Sequence, residues 1–237
     1  MQQTTKSKLI RIGSNLGIFL VLAALLAITT MHEIQNVFSN NDNQPYYSGN
    51  TKNPNLSLMI NVYWGNEYLG DMLDTLANEE VKATFFIGGN WASKYDDLLQ
   101  QIVARGHEIG NHGFFHKDHK SLNYEQNQNE IYNTHSLIKE LTGLEMTLFA
   151  PPSGSFNKTT LQVAGELGYK TIMWSKDTID WRDKDRSVIY NRAIKNPKNG
   201  DLILMHPTEA TALALGDIIK FYKNNGFNVV TVSQNIA

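Results

Sequence analysis

Residues 56–63, Leu-Ser-Leu-Met-Ile-Asn-Val-Tyr, form a short and mainly apolar run that favours a β-strand. Six further runs of this kind follow, at residues 82–87, 108–111, 147–150, 170–175, 202–205 and 228–232. Most of them lack a regular alternation of polar and apolar residues, which is typical of strands that are covered on both faces. These runs predict a sheet buried between layers of helices.

Segments with helical spacing lie between these runs. Apolar residues at positions i, i+3, i+4 and i+7 occur within residues 69–76, 95–102 and 215–222. Strands that alternate with helices through short links predict parallel strands joined by right-handed crossovers. The sequence therefore predicts an α/β fold, a distorted (β/α) barrel with about seven parallel strands. A doubly wound open sheet is the alternative.

The N-terminal part of the chain differs from the rest. Lys6, Lys8 and Arg11 precede residues 12–31, which carry no charge and reach the ~20 residues that a membrane-spanning helix needs. We predict a cytoplasmic stub and membrane anchor or signal segment at residues 1–38, and a flexible linker at residues 39–55. The folded domain, residues 56–237, would then lie outside the cytoplasmic membrane, or be secreted if the segment is cleaved.

Composition narrows the possible ligands. The net charge is −2 and the basic residues form no dense stripe, so nucleic acid is not expected as a partner. The chain has no cysteine, which excludes disulfides, thiolate metal ligands and a cysteine nucleophile. A metal would have to be held by His, Asp, Glu or Asn. Protein partners cannot be inferred from the sequence.

Two histidines follow the third run at a spacing of four residues, in Gly-Asn-His-Gly-Phe-Phe-His at residues 110–116. Imidazole is the commonest side-chain ligand of zinc, and this spacing predicts that His112 and His116 bind one divalent metal ion. Two unrelated surface or core histidines are the alternative. Polar residues also follow other runs, including Asp177 and His206. Barrels of this type keep their chemistry at such strand ends.

Five segments together resemble the NodB-type polysaccharide deacetylases, carbohydrate esterase family 4. Residues 81–86 resemble the second strand of that family, and residues 112–116 match its metal-binding H-x-x-x-H. Residues 150–154, Ala-Pro-Pro-Ser-Gly, resemble its R-x-P-x-G segment. Residues 177–181 match D-x-x-D-W, and residues 204–206 match a final L-x-H. The resemblance extends from about residue 56 to the C-terminus.

The resemblance implies metal-assisted removal of acetyl groups from N-acetylated sugars. Zinc or cobalt would polarise the acetyl carbonyl and activate a bound water. His206 would protonate the departing amine, oriented by Asp177 or Asp180. A backbone N–H near Ser153 would hold the oxyanion.

The same resemblance places substrate-binding residues around this chemistry. Pro152 and Ser153 come from the third motif, and Trp181 would stack on a sugar ring. Trp64 and Trp174 are further candidates for stacking, and the alternative for all three tryptophans is a plain core role.

The first motif departs from the family pattern T-F-D-D-G, or F-D-I-S-W-G-D in a related branch. Asn61 stands at the position of the catalytic base and Asn66 near that of a metal-binding carboxylate. An amide cannot act as a general base. Ala150 replaces the arginine that pairs with the base, and an unpaired buried arginine would be costly, so the two losses are linked. Glu67 is the nearest carboxylate that could substitute.

Two functions remain on the sequence alone. The first is a metal-dependent deacetylase-like hydrolase that cleaves carbon–nitrogen bonds of N-acetylated cell-wall polysaccharide such as peptidoglycan, or of chitin. The second is a catalytically impaired pseudoenzyme that binds glycan in the same groove. A carboxylate within hydrogen-bonding reach of the metal-bound water would distinguish them.

Overall fold

The computed structural model describes residues 21–22 and 43–237. Its strands are β1 (Asn55–Val62), β2 (Thr84–Ile87), β3 (Glu108–Asn111), β4 (Leu148–Phe149), β5 (Lys170–Thr171), β6 (Lys176–Asp177), β7 (Leu202–Met205) and β8 (Asn228–Val229). Its helices are α1 (Asn66–Asn78), α2 (Gly89–Ala92), α3 (Asp96–Ala104), α4 (Tyr124–Thr142), α5 (Lys158–Glu166), α6 (Arg186–Ile194), α7 (Glu209–Asn224) and α8 (Val232–Asn235). Short 3-10 turns span His119–Ser121 and Pro152–Gly154.

The strands form one parallel sheet in the order β5-β4-β3-β2-β1-β7-β6, and β8 pairs with β1. The predicted α/β architecture of about seven parallel strands joined by helices is thus confirmed. The predicted strand at residues 170–175 was wrong in its extent, because the chain bends after Thr171 and continues as β6. Ile172 N–H donates to Phe149 O on one side of this bend, and Ser175 N–H donates to Leu202 O on the other.

This bend makes the sheet a barrel. β5 and β6 lie at opposite edges of the strand order, yet only residues 172–175 connect them. A link of this length spans roughly 18 Å at most, so the sheet must curl until its edges approach each other. No pairing joins β5 to β6 in the described chain, which makes the barrel distorted rather than fully closed.

Side chains alternate between two buried layers along β1. Leu58, Ile60 and Val62 belong to the large cluster between the strands and the surrounding helices. Met59 belongs to the smaller cluster inside the barrel. By this alternation Asn61 points inward at the upper end of β1, because successive side chains of a strand point to opposite faces.

The predicted helical spacing is confirmed in α1 and α7. In α3, Leu99 and Ile102 are buried as predicted, but Tyr95 precedes the helix and is 38% exposed. In α1 the buried residues are Leu69, Met72, Leu73 and Leu76. In α7 the buried set includes Leu215, Ile218, Ile219 and Tyr222. Both helices bury these side chains against the outer faces of the strands, so the amphipathic pattern decides which face of each helix covers the barrel.

The prediction of a flexible linker at residues 39–55 was wrong for residues 43–55. Tyr46 forms a parallel bridge with Ile172, and its N–H donates to Thr171 O at 2.9 Å. Gly49 N–H donates to Gly200 O at 2.7 Å, and Asn55 begins β1. The Asn- and Gly-rich composition suggested a tether, but the free edge of β5 supplies backbone partners that the composition cannot reveal.

The predicted anchor at residues 12–31 lies outside the described residues except for positions 21 and 22. Within the described part of the chain, no helix has the length and apolar character needed to cross a bilayer.

Gly110 on β3 leaves room for the ring of Phe86 inside the barrel. A Cβ atom at Gly110 would lie 2.5 Å from Phe86 Cδ1 and 3.2 Å from Leu148 O. We therefore expect Gly110→Ala to lower the free energy of unfolding by about 1–3 kcal/mol through overpacking, measured by urea denaturation.

Gly70→Ala is the matched control, because Gly70 is exposed on α1 and a Cβ there would meet no atom within 4 Å. This change should be neutral or stabilise by up to about 1 kcal/mol, since alanine favours helix over glycine. Equal stability of the two variants would contradict the packing of Phe86 against Gly110.

Candidate active site

A cleft of about 380 Å³ opens at the C-terminal ends of the strands. Its lining residues are Asn61, Tyr63, Trp64, His112, His116, Ser153, Trp174, Asp177, Trp181, Leu204 and His206. The motifs that are distant in sequence therefore meet in one place, as the strand-end argument predicts. Three of the predicted site residues, Asn66, Pro152 and Asp180, do not line the cleft.

His112 is held rigidly at the end of β3. Its Nδ1–H donates to Ala150 O at 2.7 Å, and only 1% of the residue is exposed. Burial, followed by the neighbouring His116, holds the pKa of His112 well below its usual value. The ring is therefore neutral, and the Nε2 lone pair remains free to accept a hydrogen bond or to bind a cation.

His116 completes the predicted pair. Its ring centroid lies 5.1 Å from that of His112, and burial lowers its pKa. Its backbone has a φ of 54°, in the left-handed region that non-glycine residues rarely adopt. The loop must compensate for the cost of this conformation.

Glu130 on α4 supplies that compensation, and the sequence analysis missed it. The carboxylate is 3% exposed, and its Oε2 accepts from the N–H groups of Phe114 (2.9 Å) and Phe115 (2.7 Å). Lys117 Nζ lies 3.2 Å from Oε1. A carboxylate at a position where the helix faces the core was the available signal. Its partners are backbone groups, which sequence spacing does not show.

His206 follows β7 and is fixed by Asp180. The Nδ1–H of His206 donates to Asp180 Oδ1 at 2.7 Å, and its backbone N–H donates to Asp180 Oδ2 at 2.6 Å. Thr211 Oγ1 also donates to Oδ2, at 2.6 Å. Of the two candidates, Asp180 orients the histidine, while Asp177 lines the cleft. Trp64 stacks on His206 with centroids 5.7 Å apart, a contact that the sequence did not predict.

Asn61 and Ala150 are both turned toward the inside of the barrel. Asn61 is 4% exposed, and its Oδ1 has no hydrogen-bond partner among the described residues. Ala150 follows β4, is fully buried and belongs to the interior cluster. The inward placement of both residues agrees with the predicted link between the two substitutions.

Asn66 was predicted as a metal ligand, and the structure corrects this. Asn66 begins α1 after Gly65, and its Oδ1 accepts from Trp91 Nε1 at 2.6 Å outside the cleft. Gly65 has a φ of 83°, and this left-handed corner turns the chain away from the strand end. Glu67, the candidate substitute base, lies on the exposed face of α1 and does not line the cleft.

The third motif forms one wall. Pro152 is buried and does not line the cleft, while Ser153 reaches the cleft with a φ of 55°. A Cβ at Gly154 would lie 2.6 Å from Trp174 Cη2, so the glycine allows this indole to pack against the turn. Trp181 is 55% exposed at the rim.

The residues present do not fit a catalytic zinc site. Such sites have three protein ligands. His112 and His116 provide two, and within the described residues no three His, Cys, Asp or Glu side chains converge. The unpaired Oδ1 of Asn61 could add only a neutral donor. A divalent ion would therefore be held weakly.

Comparison with known proteins agrees with this geometry. The family model for polysaccharide deacetylase matches residues 48–172. The uncharacterized protein YlxY of Bacillus subtilis is 41% identical over 191 residues, which cover 81% of this chain and 60% of that protein. The peptidoglycan-N-acetylmuramic acid deacetylase PdaA of the same organism is 31% identical over 194 residues, covering 80% of this chain and 74% of PdaA.

Solved structures that resemble this chain belong to the same deacetylase family. The crystal structure of a CE4 family pseudoenzyme from Bacillus anthracis superposes with a TM-score of 0.81 at 34% identity, covering 84% of this chain and 71% of that one. A mutant of that protein is described as having restored enzymatic activity. The chain belongs to the polysaccharide deacetylase family, carbohydrate esterase family 4.

Proposed function

We propose that this protein binds cell-wall amino-sugar glycan in the cleft and has lost efficient deacetylation. One observation carries this proposal: the inward residue at the end of β1, which the resemblance aligns with the family's base, is an amide, Asn61. An amide cannot take a proton from water. The similarity to a pseudoenzyme supports the same conclusion.

Among the described residues, no carboxylate converges with both His112 and His116, the arrangement that a replacement for the base would need. Asp177 is the one Asp or Glu that lines the cleft, and its Oδ1 accepts from Ile179 N–H at 2.7 Å. Asp180 is buried and occupied by His206 and Thr211. Glu130 lies beside the loop of the two histidines, but its Oε2 accepts from the N–H groups of Phe114 and Phe115. An efficient hydrolase requires a carboxylate that can reach the metal-bound water.

His206, the proposed general acid, keeps the hydrogen-bond partner that orients it. Asp180 fixes the tautomer and orientation of His206, so this imidazole could still give a proton to a departing amine. A metal in the cleft would polarise an acetyl carbonyl, but the residues present do not fit the site that this would require. The arrangement therefore supports recognition, with at most slow release of acetate.

The cleft retains the features of a sugar-binding groove. Tyr63, Trp64, Trp174 and Trp181 line it, and aromatic faces offer large apolar contact areas of the kind against which sugar rings pack. The rim residues Trp64 and Trp181 are 43% and 55% exposed. Exposed indoles at the edge of a concave site are typical of ligand contact rather than of core packing.

Glycan of the bacterial cell wall lies outside the cytoplasmic membrane, so we propose an extracytoplasmic location. The uncharged residues 12–31 and the preceding Lys6, Lys8 and Arg11 support export with retention of an anchor.

Restoring the missing pair should raise activity. We expect the double variant Asn61→Asp with Ala150→Arg to release acetate from N-acetylglucosamine oligomers about 10²-fold faster than the wild type or more, as general-base catalysis would contribute. The same variant should retain more zinc, because a carboxylate strengthens a two-imidazole site. Acetate release and metal content after gel filtration are the measurements.

Asn66→Asp with Ala150→Arg is the matched control, because Asn66 lies outside the cleft. Ala150→Arg alone should lower stability, since it would bury an unpaired cation, and the double variant should regain part of that loss. Acetate release that is unchanged in the double variant, or equally raised in the control, would show that Asn61 does not occupy the base position.

The anchor is tested by cell fractionation and N-terminal sequencing. We expect the protein in the membrane fraction with residues 1–38 retained, because residues 12–31 are long enough to span a bilayer. The variant Leu20→Arg/Leu25→Arg should lose membrane retention, since charge at the centre of such a segment is costly. A soluble mature form that starts after residue 30 would identify a cleaved signal instead.

A further inference from the structure

The charge in the cleft has one sign. Its lining includes no lysine or arginine, and Asp177 contributes the only carboxylate among these residues. The Oδ1 of Asp177 accepts from Ile179 N–H, whereas Oδ2 has no hydrogen-bond partner in the described chain. Arg182 forms hydrogen bonds with Asp183, which raise its pKa, and Asp177 adds a smaller effect in the same direction. One carboxylate oxygen is therefore available to a ligand.

Two further unpaired atoms in the cleft are acceptors. His112 donates through Nδ1, so its Nε2 carries a lone pair. Asn61 Oδ1 is buried without a partner among the described residues. A buried acceptor that has no donor costs about 1–3 kcal/mol, and a ligand that supplies donors would recover this cost.

The aromatic walls favour the same kind of ligand. Trp64, Trp174 and Trp181 line the cleft beside these acceptors. The face of an aromatic ring is electron-rich and attracts an ammonium group, most strongly in the case of tryptophan. A single carboxylate, unpaired acceptors and indole faces together make the chemistry of a site for an organic cation.

The deacetylated and the N-acetylated forms of an amino sugar need different hydrogen-bond partners in such a site. An ammonium group has three N–H donors and no acceptor, and it carries a positive charge. An acetamide is neutral and has a single N–H donor, so it satisfies fewer of the unpaired acceptors and forms no charge-assisted hydrogen bond with Asp177. Ala150 stands where the family has an arginine, so this cleft lacks a cation that would repel an ammonium group.

We propose that the cleft recognises deacetylated glycan, a glucosaminyl residue with a free ammonium group, in preference to N-acetylated glycan. This inference rests on the proposed function that glycan occupies the cleft. The sequence analysis expects an N-acetylated glycan as the ligand, whereas this inference assigns the deacetylated form of the same glycan. The ammonium group pairs with Asp177, and the sugar ring lies against the indoles. A deacetylase that acts on the same polymer must supply this ligand.

The test is a calorimetric titration of the full-length protein, in neutral detergent and with a chelator present, against glucosamine tetramer and N-acetylglucosamine tetramer. The pH is kept below the pKa of the sugar amine. We expect glucosamine tetramer to bind about tenfold more tightly or better, equivalent to one charge-assisted hydrogen bond. Asp177→Asn should abolish most of this preference by weakening the binding of glucosamine tetramer.

Asp71→Asn is the matched control, because Asp71 is exposed on α1 and lies away from the cleft. This change removes the same charge and should preserve the preference. Trp64→Ala should weaken the binding of both tetramers, since it removes a stacking surface that either sugar would use.

The outcomes separate the inference from the proposed function. Absence of binding to both tetramers would overturn the proposed function. Equal binding, or tighter binding of N-acetylglucosamine tetramer, would overturn the inference while leaving glycan binding intact. Equal affinity for ethanolamine and glucosamine tetramer would show that the site binds an amine and that the sugar rings contribute nothing to the affinity. This result would also contradict the inference.

Discussion

The short connection between β5 and β6 is the constraint on which the rest of the structure depends. These strands occupy opposite edges of the parallel sheet, and residues 172–175 can join them only if the sheet curls. Curling brings the C-terminal ends of the strands together at one end of the barrel. His112 at the end of β3 and His206 at the end of β7 meet in a single cleft for this reason.

Within that cleft the hydrogen bonds that position the histidines are present, whereas no general base is found among the described residues. Asp180 and Thr211 hold His206, and Glu130 holds the loop that carries His116 in a strained conformation. Rigid support of this kind is what a binding site needs as much as an active site does. The resemblance aligns two inward residues, Asn61 and Ala150, with the family's base and its arginine partner, and we propose that these two were lost together. Removing both keeps the interior free of an unpaired charge.

Several parts of the fold and site could be predicted, and the successes share a cause. Apolar runs and helical spacing report burial directly, so β1 was located to within one residue and the four buried positions of α1 were identified. The histidine pair and Asn61 were placed because strand ends of a barrel converge. The division of residues 170–175 between two strands and the docking of Tyr46 on β5 were not predicted. Both depend on backbone hydrogen bonds to distant segments, which leave no trace in local composition.

The sequence by itself determined the α/β class, the family motifs and the absence of a carboxylate at Asn61, because periodicity and residue identity are local properties. Only the tertiary structure decided which acid orients His206, that Asn66 turns away to Trp91, and that Asp177 is left as the one charge facing the cleft. The physical reason is that the residue type determines which hydrogen bonds and ion pairs a side chain can form. The direction in which it points is set by backbone corners such as Gly65 and by partners far along the chain.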